Sequence, residues 1–254
     1  TVRDASGNQS TCQATVTVQD STPPVAVCRD ITVDLDANGQ YTLTAEEIDG
    51  GSYDNCGSVQ LSIPPTVFTC ANIGANQVTL TVRDGSGNQS TCQATVTVQD
   101  STPPVAVCRD ITVSLDANGQ YTLTAAEIDG GSYDNCGISQ RTIPPTVFTC
   151  ADIGQHQVTL TVRDGSGNQS TCQATVTVQD STPPVAVCRD ITVDLDANGQ
   201  YTLTAEEIDG GSYDNCGSVQ LSIPPTVFTC ANIGANQVTL TVRDGSGNQS
   251  TCQA

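Results

Sequence analysis

The sequence predicts an all-β protein, a tandem array of small antiparallel β-sandwiches, and three observations carry that expectation. Residues 1–14 return at Thr81, Thr161 and Thr241 with Ala5 replaced by Gly85, Gly165 and Gly245, so the chain of 254 residues repeats with a period of 80. Within each repeat, apolar and polar residues alternate at the period of a half-buried strand. Turn-forming clusters such as Asn38-Gly39, Pro64-Pro65 and Gly85-Ser86-Gly87-Asn88 punctuate that alternation at short intervals. On this pattern residues 1–20 are the end of a preceding repeat, 21–100 and 101–180 are repeats 1 and 2, and 181–254 is repeat 3, cut within its last strand.

The elements follow in order along repeat 1. Val25, Val27, Ile31, Val33 and Leu35 alternate with polar residues and predict strand A, and Asn38-Gly39 supplies the residues a tight hairpin turn needs before strand B with Tyr41 and Leu43. Thr44-Ala45-Glu46-Glu47 has the spacing of a capping box and predicts one helical turn, stopped by Gly50-Gly51. Strand C spans 59–63, and a short strand around Val67 and Phe68 leads to Cys70. Val78, Leu80 and Val82, the turn at 85–88, and then Cys92, Ala94, Val96 and Val98 predict an F–G hairpin. About seven short strands in such a unit make an immunoglobulin-like sandwich.

Charge and cysteines narrow the function. A net charge of -19, with eight Arg and no Lys, leaves no basic face for nucleic acid or for an anionic membrane. No apolar run is long enough to cross a bilayer as a helix, so direct membrane insertion is not expected, and any targeting segment lies outside these residues. The 13 cysteines show no CxxC spacing and only one His accompanies them, which argues against zinc or redox centres and for structural disulfides in an extracellular setting. A unit with three aromatics and no Trp needs such staples. In an immunoglobulin topology strands A and G lie side by side, and Cys28 and Cys92 stand at matching heights. The expected pairs are therefore Cys28 with Cys92, Cys108 with Cys172 and Cys188 with Cys252; by elimination Cys56 pairs with Cys70, Cys136 with Cys150 and Cys216 with Cys230. Cys12 is left for a preceding repeat.

The run Pro23-Pro24-Val25-Ala26-Val27-Cys28, with Asp54-Asn55-Cys56-Gly57, Phe68-Thr69-Cys70 and the stretch from Asp84 to Cys92, resembles the hyalin-repeat (HYR-like) modules. The resemblance covers every full repeat, with Arg29 where members often carry Pro. It implies immunoglobulin-like sandwiches in tandem, on bacterial surface or secreted proteins, in adhesive or structural roles.

The linker Gln99-Asp100-Ser101-Thr102-Pro103-Pro104 is short and stiff, and at about 3.3 Å per strand residue each repeat should advance the array by roughly 35 Å. The same topology sends Asp34, Asp36 and Asn38 of the A–B turn to the bottom of one repeat, and Asp134, Asn135 and Asp164 to the top of the next, with Asp100 between them. Hard oxygen ligands gathered in this way suit Ca2+, the one cofactor expected; the alternative is ordinary turn chemistry. The Asp34-x-Asp36-x-Asn38-Gly39 run opens like an EF-hand loop but has Ala45 at position twelve, and repeat 2 has Ser114 at position one. Asn88-Gln89-Ser90 has the form of a glycosylation acceptor. His156 occurs in one repeat of three, no catalytic set surrounds it, and no enzyme is expected.

The expected protein is an extracellular rod, stalk or filament. Its partners are other copies of itself or cell-surface and matrix ligands. The alternative is an adhesin whose repeats each bind a glycan or protein. Repeat 2 differs from repeat 1 at nine positions, Ser114, Ala126, Ile138, Ser139, Arg141, Thr142, Asp152, Gln155 and His156, none of them a cysteine or a linker residue.

Overall fold

The computed structural model describes all residues from Thr1 to Ala254, which form two compact units, Thr1–Thr102 and Pro103–Ala254. The chain is nearly all-β and builds sandwiches of immunoglobulin type.

In the first unit a short hairpin of β1 (Val2–Arg3) and β2 (Gln9–Ser10) precedes the first sandwich. The sandwich holds β3 (Ile31–Asp34), β4 (Gln40–Leu43), β5 (Gln60–Ser62), β6 (Thr66–Thr69), β7 (Gly74–Arg83) and β8 (Gln89–Gln99). One sheet runs β3-β8-β7-β5 and the other pairs β4 with β6. The alternation in the sequence explains which side faces in: Val78, Leu80 and Val82 of β7 and Ala94, Val96 and Val98 of β8 are buried, along with Val33, Leu43, Ile48 and Phe68. β7 and β8 are the expected hairpin, in unbroken register from Gly74 opposite Val98 to Arg83 opposite Gln89. β3 lies parallel to β8, so strands A and G sit side by side.

The second unit repeats this plan. It contains β9 (Ile111–Ser114), β10 (Gln120–Thr122), α1 (Ala125–Ile128), β11 (Ile138–Thr142), β12 (Val147–Thr149), β13 (Gly154–Asp164) and β14 (Gln169–Gln179). Then come β15 (Gln200–Thr202), β16 (Gln220–Ser222), β17 (Val227–Thr229), β18 (Thr239–Arg243) and β19 (Gln249–Gln253). α1 is the capped turn: Thr124 is its N-cap, and the Glu127 carboxylate accepts from Thr124 N at 2.7 Å. Its one buried residue, Ile128, joins Leu123, Phe148, Leu160 and Val176 in the core.

The turn at Asn38-Gly39 differs from expectation. Gly39 has the positive φ of 71° that the sequence predicts, but β3 and β4 belong to different sheets and do not form a hairpin. The reason is local. Asp36 accepts from Asn38 N at 2.8 Å and Gln40 N at 2.9 Å, so its carboxylate closes the turn, and β4 then pairs with β6 in the other sheet.

Candidate functional site

Two chemistries recur at fixed points of the repeat: sulfur bridges and carboxylate clusters. Cys28 is bonded to Cys92, Cys108 to Cys172 and Cys188 to Cys252, each joining the start of a repeat to its last long strand across 64 residues. By loop entropy each contributes about 4 kcal/mol on the chain-entropy model.

The second set differs from the sequence expectation. Cys150 is bonded not to Cys136 but to Cys216, in the next repeat, with 5.2 Å between the Cα atoms. Cys136 is itself disulfide-bonded. Cys216 is therefore not joined to Cys230, and Cys56 is not joined to Cys70: Cys230 and Cys56 are exposed thiols, as is Cys12. The course of the chain accounts for this. Cys136 lies beside Asp134, at the end of the sandwich that carries the F–G turn, where Asp134 and Asp164 bring carboxylate oxygens within 4.8 Å. From there β11, the Pro144-Pro145 crossing and β12 carry the chain onward without turning back. Cys150 follows Thr149, which pairs with Gln120 next to the opposite turn. A disulfide needs Cα atoms roughly 5.5 Å apart, so cysteines at opposite ends of one sandwich cannot meet.

The carboxylates are best seen at Asp180, Asp214 and Asp244, each offering an oxygen within 4.8 Å of the others. Local turns aim them. Asp180, in the linker, accepts from Thr182 N at 3.0 Å, and Asp214 accepts from Cys216 N at 2.8 Å through Oδ2. Asp244 opens the turn after β18 and takes Asn248 N and Nδ2, both at 2.8 Å. Asn248 Nδ2 also donates to Asp180 O at 3.1 Å and so clamps the linker to this turn.

What remains is oxygen with nothing to bind. Asp180 is 6% exposed, and its Oδ2, with Asp214 Oδ1 and Asn215 Oδ1, is buried without a hydrogen-bond partner. No basic side chain neutralises the cluster; the ion pair in the molecule, Arg141 with Asp129 at 2.7 Å, lies elsewhere. Buried anions left unpaired are costly, and a hard cation would satisfy them. Asp20, Asp54 and Asp84 make the same arrangement in the first unit. There Asn88 and the turn amides hold the Asp84 carboxyl below its usual value against the opposing effect of burial.

The expected calcium ligands divide accordingly. Asp134 and Asp164 occupy the positions of Asp214 and Asp244, and Asn135 that of Asn215. Asp100, 5% exposed, corresponds to Asp180 and accepts from Thr102 N at 3.1 Å. Asp34 and Asp36 belong to none of the carboxylate groups. Asp34 accepts from Gln99 Nε2 at 2.9 Å, and Asp36 and Asn38 are bonded to each other within their own turn. The sequence reading missed Asp20, Asp54, Asp84, Asp180, Asp214 and Asp244 only by naming one junction; the 80-residue period supplies them.

His156 does structural work. Its Nε2 donates to Asp152 O at 2.7 Å and its ring lies 5.2 Å from that of Phe148. In repeat 1 the amide of Asn76 makes the equivalent bond to Asn72 O at 2.8 Å.

No family model matches the chain. It is similar to a hyalin of Strongylocentrotus purpuratus, 29% identical over 274 residues that cover 98% of this chain and 22% of that protein. A hyalin of Lytechinus variegatus is 31% identical over 278 residues, covering 98% of this chain and 49% of that protein. The chain thus spans about half or less of these relatives. Neither supports the bacterial setting expected from the sequence. Among solved structures, human CDH23 EC21-23 is 10% identical, covering 91% of this chain and 99% of that one, with a TM-score of 0.39. The protocadherin gamma B4 extracellular domain is 14% identical, covering 94% and 50%, with a TM-score of 0.35.

Proposed function

We propose that the chain is part of an extracellular structural array of hyalin-repeat type, a rod or filament of disulfide-stapled sandwiches, in which Ca2+ bound at Asp180, Asp214 and Asp244 stiffens the joint between repeats 2 and 3. The observation that carries the calcium reading is the pair of buried, unpartnered oxygens on Asp180 and Asp214 within a cluster that has no counter-charge. The structural reading draws on whole-chain similarity to hyalin and on the near-identity of the repeats, since a stalk repeats while a ligand site is a specialised feature. The domain limits of 21–100, 101–180 and 181–254 belong to this proposal. Oxygen ligands from a linker and two loops fix the linker to the sandwich that follows it, and this adds to the stiffness of a connection that is already short and proline-rich.

Calorimetric titration of the calcium-free chain tests the reading. Saturable binding of Ca2+ is expected, with a rise in melting temperature. At a free concentration one hundred times Kd the stabilisation is about 2.7 kcal/mol. Asp214→Asn should lower affinity at least ~10-fold, because it removes charge from a carboxylate with an unpaired oxygen. A chain whose melting is unchanged between excess Ca2+ and EDTA would exclude the calcium role and leave the array itself untouched.

A further inference from the structure

The covalent bonds divide each repeat into residues that tension along the chain can reach and residues that it cannot. Cys108–Cys172 joins the start of repeat 2 to its last strand, and Cys188–Cys252 does the same in repeat 3, each across 64 residues. A pull along the chain passes from Cys108 to Cys172 through sulfur, and the residues between them are off its path. What stays on the path from repeat 2 to repeat 3 is the segment from Cys172 to Cys188, 16 residues of each 80.

That segment is held along its length. Its first part is β14, which pairs with β13 on one side and lies parallel to β9 on the other, from Val176 opposite Ile111 to Gln179 opposite Ser114. Thr175 N adds a bond to Asp110 Oδ1 at 2.7 Å. In the linker, Asp180 O accepts from Asn248 Nδ2 at 3.1 Å and Pro184 O accepts from Ser250 Oγ. Beyond it Val185 and Tyr213 exchange both backbone bonds, at 2.8 and 3.1 Å, and Gly210 N donates to Val187 O at 2.8 Å. Ladder bonds run across the strand direction, so a pull along β14 shears them together instead of opening them one at a time.

Cys150–Cys216 is a second tie beside this one. Both of its ends are off the tension path, Cys150 between Cys108 and Cys172 and Cys216 between Cys188 and Cys252. It fastens the body of repeat 2 to the body of repeat 3, and Asn215 Nδ2 donates to Asp116 O at 3.0 Å across the same joint. While both sandwiches are folded the linker therefore cannot lengthen by itself, because the bodies it would separate are already tied.

We propose that the chain is a tension-carrying strap with a built-in stop: the joint does not yield while the sandwiches are folded, and when β14 gives way the repeat lengthens by one short step and no more. Sixteen residues reach at most about 58 Å, against the roughly 35 Å by which a folded repeat should advance. A repeat of 80 residues without its bridges would run to about 290 Å. The strap goes beyond the array reading and needs no cation.

The test is stretching of the full chain in EDTA, by optical tweezers, between DNA handles fixed at its two ends. In the oxidised chain each yielding step is expected at about 25 Å or less, and after reduction with dithiothreitol the extension per repeat should rise roughly tenfold. Cys150→Ser with Cys216→Ser should leave the step length unchanged and make the step at least ~10-fold faster at a given force. Cys188→Ser with Cys252→Ser should lengthen the repeat 3 step by about 150 Å and not by about 230 Å, since the chain then runs taut through Cys150–Cys216; this length does not depend on whether repeat 3 still folds. Three outcomes would each overturn the proposal: steps longer than about 100 Å in the oxidised chain, an unchanged yielding rate without Cys150–Cys216, or the full length of about 230 Å with that bridge intact.

Discussion

Glu127 holds together the short helical turn of repeat 2. Its carboxylate accepts from the Tyr121 hydroxyl and from Thr124 N and Oγ1, both at 2.7 Å. These bonds, the Tyr121 contact first, keep the Glu127 carboxyl below its usual value, and the same contact pushes the Tyr121 phenol up to about 12. Glu127 has a depressed folded pKa, so its contribution is present above the unfolded value and lost as pH falls through the folded one. Tyr121 has a raised folded pKa, so its contribution is complete below the unfolded value near 10 and lost as pH rises toward about 12. Urea midpoints should be level between pH ~5 and ~9 and fall on both sides, and Glu127→Gln should weaken both limbs. A second residue-scale outcome concerns Gly119, where positive φ and the nearby Cys150 sulfur leave no room for a methyl group. Gly119→Ala should cost about 1–2 kcal/mol in urea unfolding, whereas Gly165→Ala, with open space around it, should change stability by less than ~0.5 kcal/mol.

At the scale of elements, the long hairpins carry the core. Leu160 on β13 is fully buried and faces Cys172 on β14, so Leu160→Ala should cost about 3 kcal/mol and Val147→Ala, on a side chain 53% exposed, well under 1, both measured by chemical denaturation. These hairpins were legible in the sequence because period-two alternation names both the strand and its buried side, and because the turn at 85–88 has one consistent use. The capped turn was legible for a similar reason, since Thr124 and Glu127 satisfy each other locally. Asn38-Gly39 was misleading because the same backbone serves a hairpin or a crossing between sheets; the choice rests with partners farther along the chain, β8 for β3 and β6 for β4. The Cys150–Cys216 bridge was hidden for a different reason. Elimination assumes that partners lie in one repeat, and nothing in the spacing shows that β11 and β12 run on in one direction. Repeat 2 adds a pairing that its list of differences could not reveal: Arg141, in place of Leu61, finds Asp129 at 2.7 Å.

At the scale of the whole molecule, repeats 2 and 3 are joined twice, by the linker and by the Cys150–Cys216 bridge. The bridge ends two residues after Asp214, and the intervening Asn215 is itself tied to Asp116 O. The loop that presents a carboxylate to the candidate calcium site is thus anchored on the preceding repeat. Affinity and bridge are expected to be linked: whatever the bridge saves in loop ordering appears as tighter binding, and bound cation in turn favours the closed joint. Replacing both cysteines, Cys150→Ser with Cys216→Ser, avoids leaving a lone thiol and keeps Cys108–Cys172 and Cys188–Cys252 as staples within the repeats. The double variant should retain its β-sheet circular dichroism and bind Ca2+ about tenfold more weakly, a loss of about 1.4 kcal/mol. Titration of the bridged and unbridged chains side by side measures it. Equal affinities would mean that the loop 214–216 holds its shape without the bridge, as the matching Asp54–Cys56 hydrogen bond in repeat 1 allows, and the bridge would then act on the tether between repeats alone.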